Sequence, residues 1–542
     1  MANFSSSPGV KLNEIDNSFV TPTPVSVGAA IIGPTVKGPV ELPTIVTSYS
    51  DYKNKFGGSL TSASNSYSYL TSISAYNYFT EGGESLLVAR VVDGTFTAAS
   101  SSAAVATSTS ASIVFETLSK GTIMNTGTDF DSDGVLEDGS VDNIKFEIAG
   151  SNTDTGTFNV LVRQGNDKNS DKIILETFNK VSLDPNQSNF ISKVIGDQVV
   201  EYDSGTNQID ITSGEFANAS RYIRVKSIPN LTPDYFDNTG VAKTALKAHI
   251  PVNGTGSFNG AAGDVTGGAN FYKDIDVQTQ GVSGSDYDNM INLLGNVNDY
   301  QFNVLSTPGL TNDNHISQIT SIINNTIERG DNIFVFDTVD YEGTLANALT
   351  QAATRNTSYA STYWPWLRVQ DPETGKLVFV PASTMIPGVY AHNDKVANTW
   401  NAPAGISRGG LSTVLQAKLK LTEANKASLY DGNINPIATF PKKGVVVFGQ
   451  KTLQKGASAL DRINVRRLLI DLKSFIGQIA DTLVFENNTI TTRNKFLSEV
   501  TPFLEVIQQK GGLYAFKVIM DDTNNTDDVI DRNQLVGNIY IQ

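Results

Sequence analysis

A chain of 542 residues, 39% of them hydrophobic and 18% charged, is too long for one ordinary core and has the apolar material for several, so two to four domains are expected. Its formal charge of −15 excludes a role built on displacing counterions from nucleic acid, which needs clustered cations. The lack of cysteine excludes disulfides, thiolate metal sites and cysteine nucleophiles, and three widely spaced histidines, His249, His315 and His392, give no HExxH pattern.

The first residues, MANFSSSPGVKLNEIDNSF, lack the basic-then-apolar layout of a signal peptide, and the apolar run at 25–32 is too short to cross a bilayer. A soluble chain made in a cytoplasm, with no membrane insertion, is the expectation. Residues 1–24 carry Pro8, Pro22 and Pro24 without periodicity and read as an extended arm. Strands are predicted at 25–32, 44–46 and 85–92, with a helix at 66–80 that stops at Glu81-Gly82-Gly83.

From 94 to 227 short alternating runs, at 112–115, 143–148, 157–163, 172–178, 208–211 and 221–225, predict an inserted β domain that is entered through the Ser/Ala-rich segment 98–112. Residues 228–354 read as a second insertion of α/β type. There, a strand at 302–306 and a strand at 332–337 flank a helix at 314–329 whose Ile316, Ile319, Ile322, Ile323 and Ile327 share a face. Farther on, Ile463, Val465, Leu468, Leu469, Leu472, Ile476, Ile479 and Leu483 recur at helical spacing. A second helix at 491–510 stops at Gly511-Gly512, and strands at 513–520 and 535–541 follow, separated by an acidic turn.

Few residues carry chemistry. Asp129, Asp131 and Asp133, with Gly134, copy the first half of a calcium loop, but the twelfth position is Ser140 where a bidentate Glu is needed, so a solvated acidic turn competes with a metal site. The glycine-rich stretch 254–260 misses the dinucleotide fingerprint by one residue and reads as a flexible loop. No P-loop or nucleophile elbow is present. Tyr363-Trp364-Pro365-Trp366 reads either as a sugar platform or, more simply, as core at the start of a strand. Neither catalytic nor cofactor-binding residues are assigned.

Charge is more informative. Between 441 and 475 lie eight cations, Lys442, Lys443, Lys451, Lys455, Arg462, Arg466, Arg467 and Lys473, against Asp461 and Asp471. In so acidic a chain this reads as a surface for an acidic partner or for a second copy. The competing reading has Arg466 and Arg467 paired inside the core, supporting the fold.

Several stretches together, Tyr363-Trp364-Pro365-Trp366, Pro387-Gly388-Val389-Tyr390-Ala391, Trp400-Asn401-Ala402-Pro403-Ala404-Gly405, Gly432-Asn433-Ile434-Asn435-Pro436-Ile437, Ile463-Asn464-Val465-Arg466-Arg467-Leu468, Val484-Phe485-Glu486-Asn487-Asn488 and Asn524-Asn525-Thr526, resemble contractile phage tail sheath proteins of the myovirus branch. Pro8-Gly9-Val10, Lys37-Gly38-Pro39 and Leu87-Val88-Ala89-Arg90-Val91 extend the likeness to the front.

The resemblance implies an α+β multidomain fold. Its α/β assembly core is expected from both terminal regions, 25–93 and 355–542, with a barrel-like β domain at 94–227 and an α/β domain at 228–354 inserted on the outer side. It also implies a structural, non-enzymatic role as a homo-oligomer of stacked hexameric rings wound around a tail tube, contacting baseplate and tail terminator proteins, assembled in the host cytoplasm and resident in the virion tail. Lys451, Lys455, Arg462, Arg466, Arg467 and Lys473 are then expected to face the tube or a neighbouring subunit. Sheaths usually continue past the position of Gly537-Asn538-Ile539-Tyr540-Ile541 with a further strand, whereas this sequence stops at Gln542; polymerisation is then expected to depend on downstream residues or on a different closure of the mesh. The rival expectations are a surface adhesin that binds glycans and a glycan depolymerase.

Overall fold

The computed structural model describes residues 26–62, 65–103, 112–266 and 272–542. The expected arm at 1–24 therefore lies outside the described residues, as does most of the segment 98–112. Eight strands build the largest sheet: β1 (Ser26–Gly33), β2 (Thr44–Val46), β3 (Leu86–Arg90), β4 (Gln301–Thr311), β5 (Ile333–Asp337), β6 (Ala360–Trp364), β7 (Asn435–Phe440) and β8 (Gly444–Val447). In space they run β2-β3-β1-β4-β5-β6-β7-β8. The six inner strands are mutually parallel, and β2 and β8 close the two edges antiparallel.

Five helices matter below: α1 (Leu70–Thr80), α2 (Ile316–Arg329), α3 (Ile386–Val396), α4 (Ile463–Asp481) and α5 (Ile490–Gln509). The chain ends in the hairpin β9 (Phe516–Ile519) and β10 (Asn538–Ile541). Both faces of the large sheet are covered, so its strands read as continuous apolar runs. Alternation within β5 divides the two cores: Ile333 and Val335 join one cluster, with α1 and α3 residues such as Ile73 and Val389. Phe334 and Phe336 join the other, with Ile319 and Ile322 of α2.

This topology corrects the expected partition. The strands predicted for a separate α/β insertion, β4 and β5, sit at the centre of the large sheet, between β1 and β6. Their side chains alternate between two apolar layers, as expected of strands in a sheet covered on both faces. The front of that segment belongs instead to the β unit. Gly254–Gly256, expected as a flexible loop, is an edge strand pairing with Phe146–Ile148, and Tyr235, Ile250 and Phe258 sit in the β unit's own core.

The β unit holds a four-stranded sheet, a three-stranded sheet and a hairpin. None of the described sheets closes on itself, so the barrel-like expectation gives way to open, stacked sheets. The fold is mixed α and β with several such sheets.

Candidate assembly surface

The helix α4 joins two cores. Ile463 and Ile470 point into the cluster on one face of the large sheet, while Leu468, Leu472 and Ile479 pack with Val500 and Leu504 of α5 and with Leu513 and Met520 beside the terminal hairpin. Phe475 of α4 stacks on Phe503 of α5 with ring centroids 3.7 Å apart. A helix with two apolar stripes has little surface left for cations, and this decides where the basic residues go.

Arg466 and Arg467 are buried. The Arg467 guanidinium makes a bidentate pair with Asp394 of α3, with Nη1 2.9 Å from Oδ1, and lies over the Tyr390 ring at 4.7 Å. Burial alone lowers its pKa; the Asp394 carboxylate reverses that and leaves it raised. Arg466 covers the Tyr359 ring at 4.0 Å and donates to Ser358 Oγ; burial lowers its pKa. Arg462 donates to Tyr430 Oη at 2.6 Å. Lys451 donates to the Tyr430 carbonyl at 2.8 Å and lies over the same ring.

Half of the expected island, Lys451, Arg462, Arg466 and Arg467, is thus taken up by internal partners, because cations stack on aromatic rings and guanidinium planes fork onto carboxylates within the fold. Lys455 and Lys473 stay exposed, although Lys455 donates to the Ala353 carbonyl and Lys473 to Tyr359 Oη at 3.1 Å. No local pattern signals these partners: Ser358 and Asp394 lie 108 and 73 residues from their arginines.

The other candidates also turn inward or toward local structure. Asp131 Oδ1 accepts from the amides of Asp133 and Val135, and Asp133 pairs with Lys168 at 2.7 Å. Asp129, Asp131 and Asp133 are exposed turn residues, and no group of three metal-ligating side chains occurs among the described residues. Trp364 and Trp366 are buried, and Trp366 Nε1 donates to the Val339 carbonyl at 3.2 Å, which makes the aromatic run core. No helix among the described residues is long and apolar enough to cross a membrane.

Two buried asparagines hold the C-terminal third together. Asn435 bonds the carbonyls of Thr362 and Lys451 and accepts from the Lys451 amide at 2.6 Å, stitching β6 and β7 to the segment before α4. Asn525 bonds both the carbonyl and the amide of Val536, closing the acidic loop between β9 and β10. The hairpin so held pairs only with itself among the described residues, and Tyr540 within it and Tyr514 just before it are exposed. Each of its strands therefore offers an unpaired edge.

Residues 457–542 match the phage tail sheath C-terminal domain family. The chain is 43% identical over 164 residues to a tail sheath protein of Vibrio phage KVP40, covering 30% of this chain and 24% of that protein. It is 40% identical over 164 residues to the tail sheath protein of Enterobacteria phage T4, covering 30% of this chain and 25% of that one. The aligned part thus spans about a quarter of these relatives' length.

Two solved structures share the fold over nearly the whole chain. A sheath tail protein from Listeria innocua aligns with a TM-score of 0.54 at 11% identity, over 95% of both chains. The anti-feeding prophage helical sheath in its contracted state aligns with a TM-score of 0.51 at 13% identity, over 99% of this chain and 96% of that one. The expected resemblance to contractile phage tail sheath proteins is thereby matched: residues 457–542 are similar to the phage tail sheath C-terminal domain, and the chain as a whole shares the fold of these two solved sheath proteins.

Proposed function

We propose that this chain is a non-enzymatic subunit of a contractile tail sheath, winding as a helix of stacked hexameric rings around a tail tube and contracting to drive that tube through a host envelope. The observation that carries the reading is a sheath fold spanning nearly the whole chain and ending in a hairpin with open edges. Such edges accept strands from neighbouring copies and keep them linked while the bodies rotate, and a head-to-tail contact that does not close generates an open helix.

On this reading the assembly core comprises the large sheet with α4, α5 and the terminal hairpin, and the β unit projects outward. The tube, baseplate and tail terminator proteins are its partners in the virion tail, with assembly in the host cytoplasm. Lys455 and Lys473, the exposed two of the six cations expected at that surface, face the tube or a neighbour. Contraction draws on a kinetically trapped packing and needs no nucleotide.

Negative-stain electron microscopy of the purified chain at high concentration tests this directly. Hollow helical tubes are expected, with or without added tube protein. Monodisperse monomers under all of these conditions, including with tube protein present, would remove the proposal.

A further inference from the structure

The loop between α4 and α5 raises a single aromatic side chain into solvent. Phe485 is fully exposed, at 103% of its reference area, and its backbone holds φ at +75°, a left-handed conformation that is an outlier for a bulky residue. Val484 and Ile490 beside it are exposed as well. A strained loop that keeps a phenyl ring out of its own core has the form of an interface anchor, since aromatic anchors supply much of the binding energy at protein contacts.

A complementary hole lies elsewhere on the chain. A groove of about 490 Å³ is lined by Ala404, Ala427, Tyr430, Pro436 and Phe448. Phe448 packs against Phe440 with centroids 5.0 Å apart yet stays 46% exposed, and the Lys426 ammonium, paired with Glu423, sits 5.3 and 5.5 Å from those two rings. A third ring entering there gains edge-to-face and cation–π partners and covers apolar surface now wet. Charge agrees: Asp481 and Glu486 flank the knob, and the turn after Phe440 carries Lys442 and Lys443, all exposed.

The placement of the two features gives a direction. Tyr430 meets Arg462 at the start of α4, whereas Phe485 follows its end. The helix has 19 residues, about 28 Å at 1.5 Å per residue, so a chain does not seat its own knob in its own groove. We propose that Phe485 of one copy inserts into the Tyr430–Phe448 groove of the next, a heterologous head-to-tail contact that propagates along the assembly. This deepens the sheath reading by naming one of its contacts.

Because the parent lacks cysteine, the test has no background. An Asn487→Cys chain, which keeps the Phe485 ring, and an Ala427→Cys chain, both altered at exposed positions, are mixed and treated with a short bismaleimide. The heterotypic dimer is expected at roughly tenfold over either homotypic product, the double variant is expected to give a ladder, and Phe485→Ser should weaken association roughly tenfold or more. Equal heterotypic and homotypic yields in a preparation that forms tubes overturn the contact and leave the sheath reading standing. Cross-linking of the Asn487→Cys chain to added tube protein carrying a surface cysteine, in place of the Ala427→Cys chain, also overturns it. A ladder without tubes under any condition sustains the contact and counts against the sheath reading.

Discussion

At the scale of single residues, the buried Asp337 shows how position sets chemistry. It ends β5, is 3% exposed, and accepts from the Ser383 amide at 3.1 Å and from the Ser383 hydroxyl. Burial pushes its carboxyl up to about 7, the Ser383 bonds pulling only partly back. An unfolded aspartate ionises near pH 4. Between about pH 4 and 7 the folded chain therefore holds a proton that the unfolded chain has lost, so stability falls as pH rises through that window and the loss is complete above about pH 7. Asp337→Asn should remove this component. Urea midpoints measured from pH 5 to 8 should fall less in the variant than in the parent, a relative gain on the order of 1–3 kcal/mol at pH 8; parallel slopes would show that the carboxyl stays ionised. Asp167 is the opposite case. Buried between Arg163 and Lys145, it feels burial oppose ionisation, but the bonds from both cations hold its carboxyl below the usual range.

At the scale of elements, α4 does what its sequence pattern half-disclosed. The apolar periodicity predicts the helix and its length within two residues of the observed Ile463–Asp481, but not that it serves two cores at once. The Arg467–Asp394 pair is the cross-tie between α4 and α3, reinforced by the Tyr390 ring, whose hydroxyl lies 2.7 Å from that of Tyr363 on β6. Arg467 is buried but Asp394 is solvent-exposed, so Arg467→Ala, which removes a charge-assisted bidentate bond and the packing on Tyr390, should lose about 1.5–3 kcal/mol by chemical denaturation. Arg467→Lys should recover only part of this, since an ammonium cannot fork onto Asp394. Loss of no more than about 0.5 kcal/mol, the size of a surface pair, would return Arg467 to the surface reading. The basic cluster was legible in the sequence as composition. Its internal use was not, because the partners that absorb it come from segments 21 to 114 residues away.

At the scale of the whole molecule, Arg90 fastens the β unit to the large sheet. It ends β3 fully buried, and Nη1 bonds the Gly38 carbonyl at 2.6 Å on the sheet side and the Lys120 carbonyl at 2.9 Å on the β-unit side. Burial lowers its pKa to about 10. Lys37 and Asp142 pair across the same junction at 3.5 Å. Arg90→Ala should therefore loosen the junction while leaving each core intact. Limited proteolysis should cut the connector at 92–97 several-fold faster, with the fragments individually resistant, as expected when local opening governs cleavage. Cleavage spread through both units would instead place Arg90 in the global fold.

The sequence alone determined most of the local structure, as β2 at 44–46, α4, α5 and the terminal hairpin illustrate, because periodicity and glycine stops are properties of neighbouring residues. It also carried the sheath resemblance, through motifs whose buried asparagines and aromatics are now seen holding strands together. Only the tertiary structure decided that β4 and β5 lie between β1 and β6, that residues 235–258 close the β unit, and that Arg466 and Arg467 face inward. Those outcomes depend on which segments meet across hundreds of residues. A strand buried in the middle of a sheet and a strand in a small separate domain write the same apolar run, and a cation writes the same letter whether its partner is water, a ring of its own chain or another molecule.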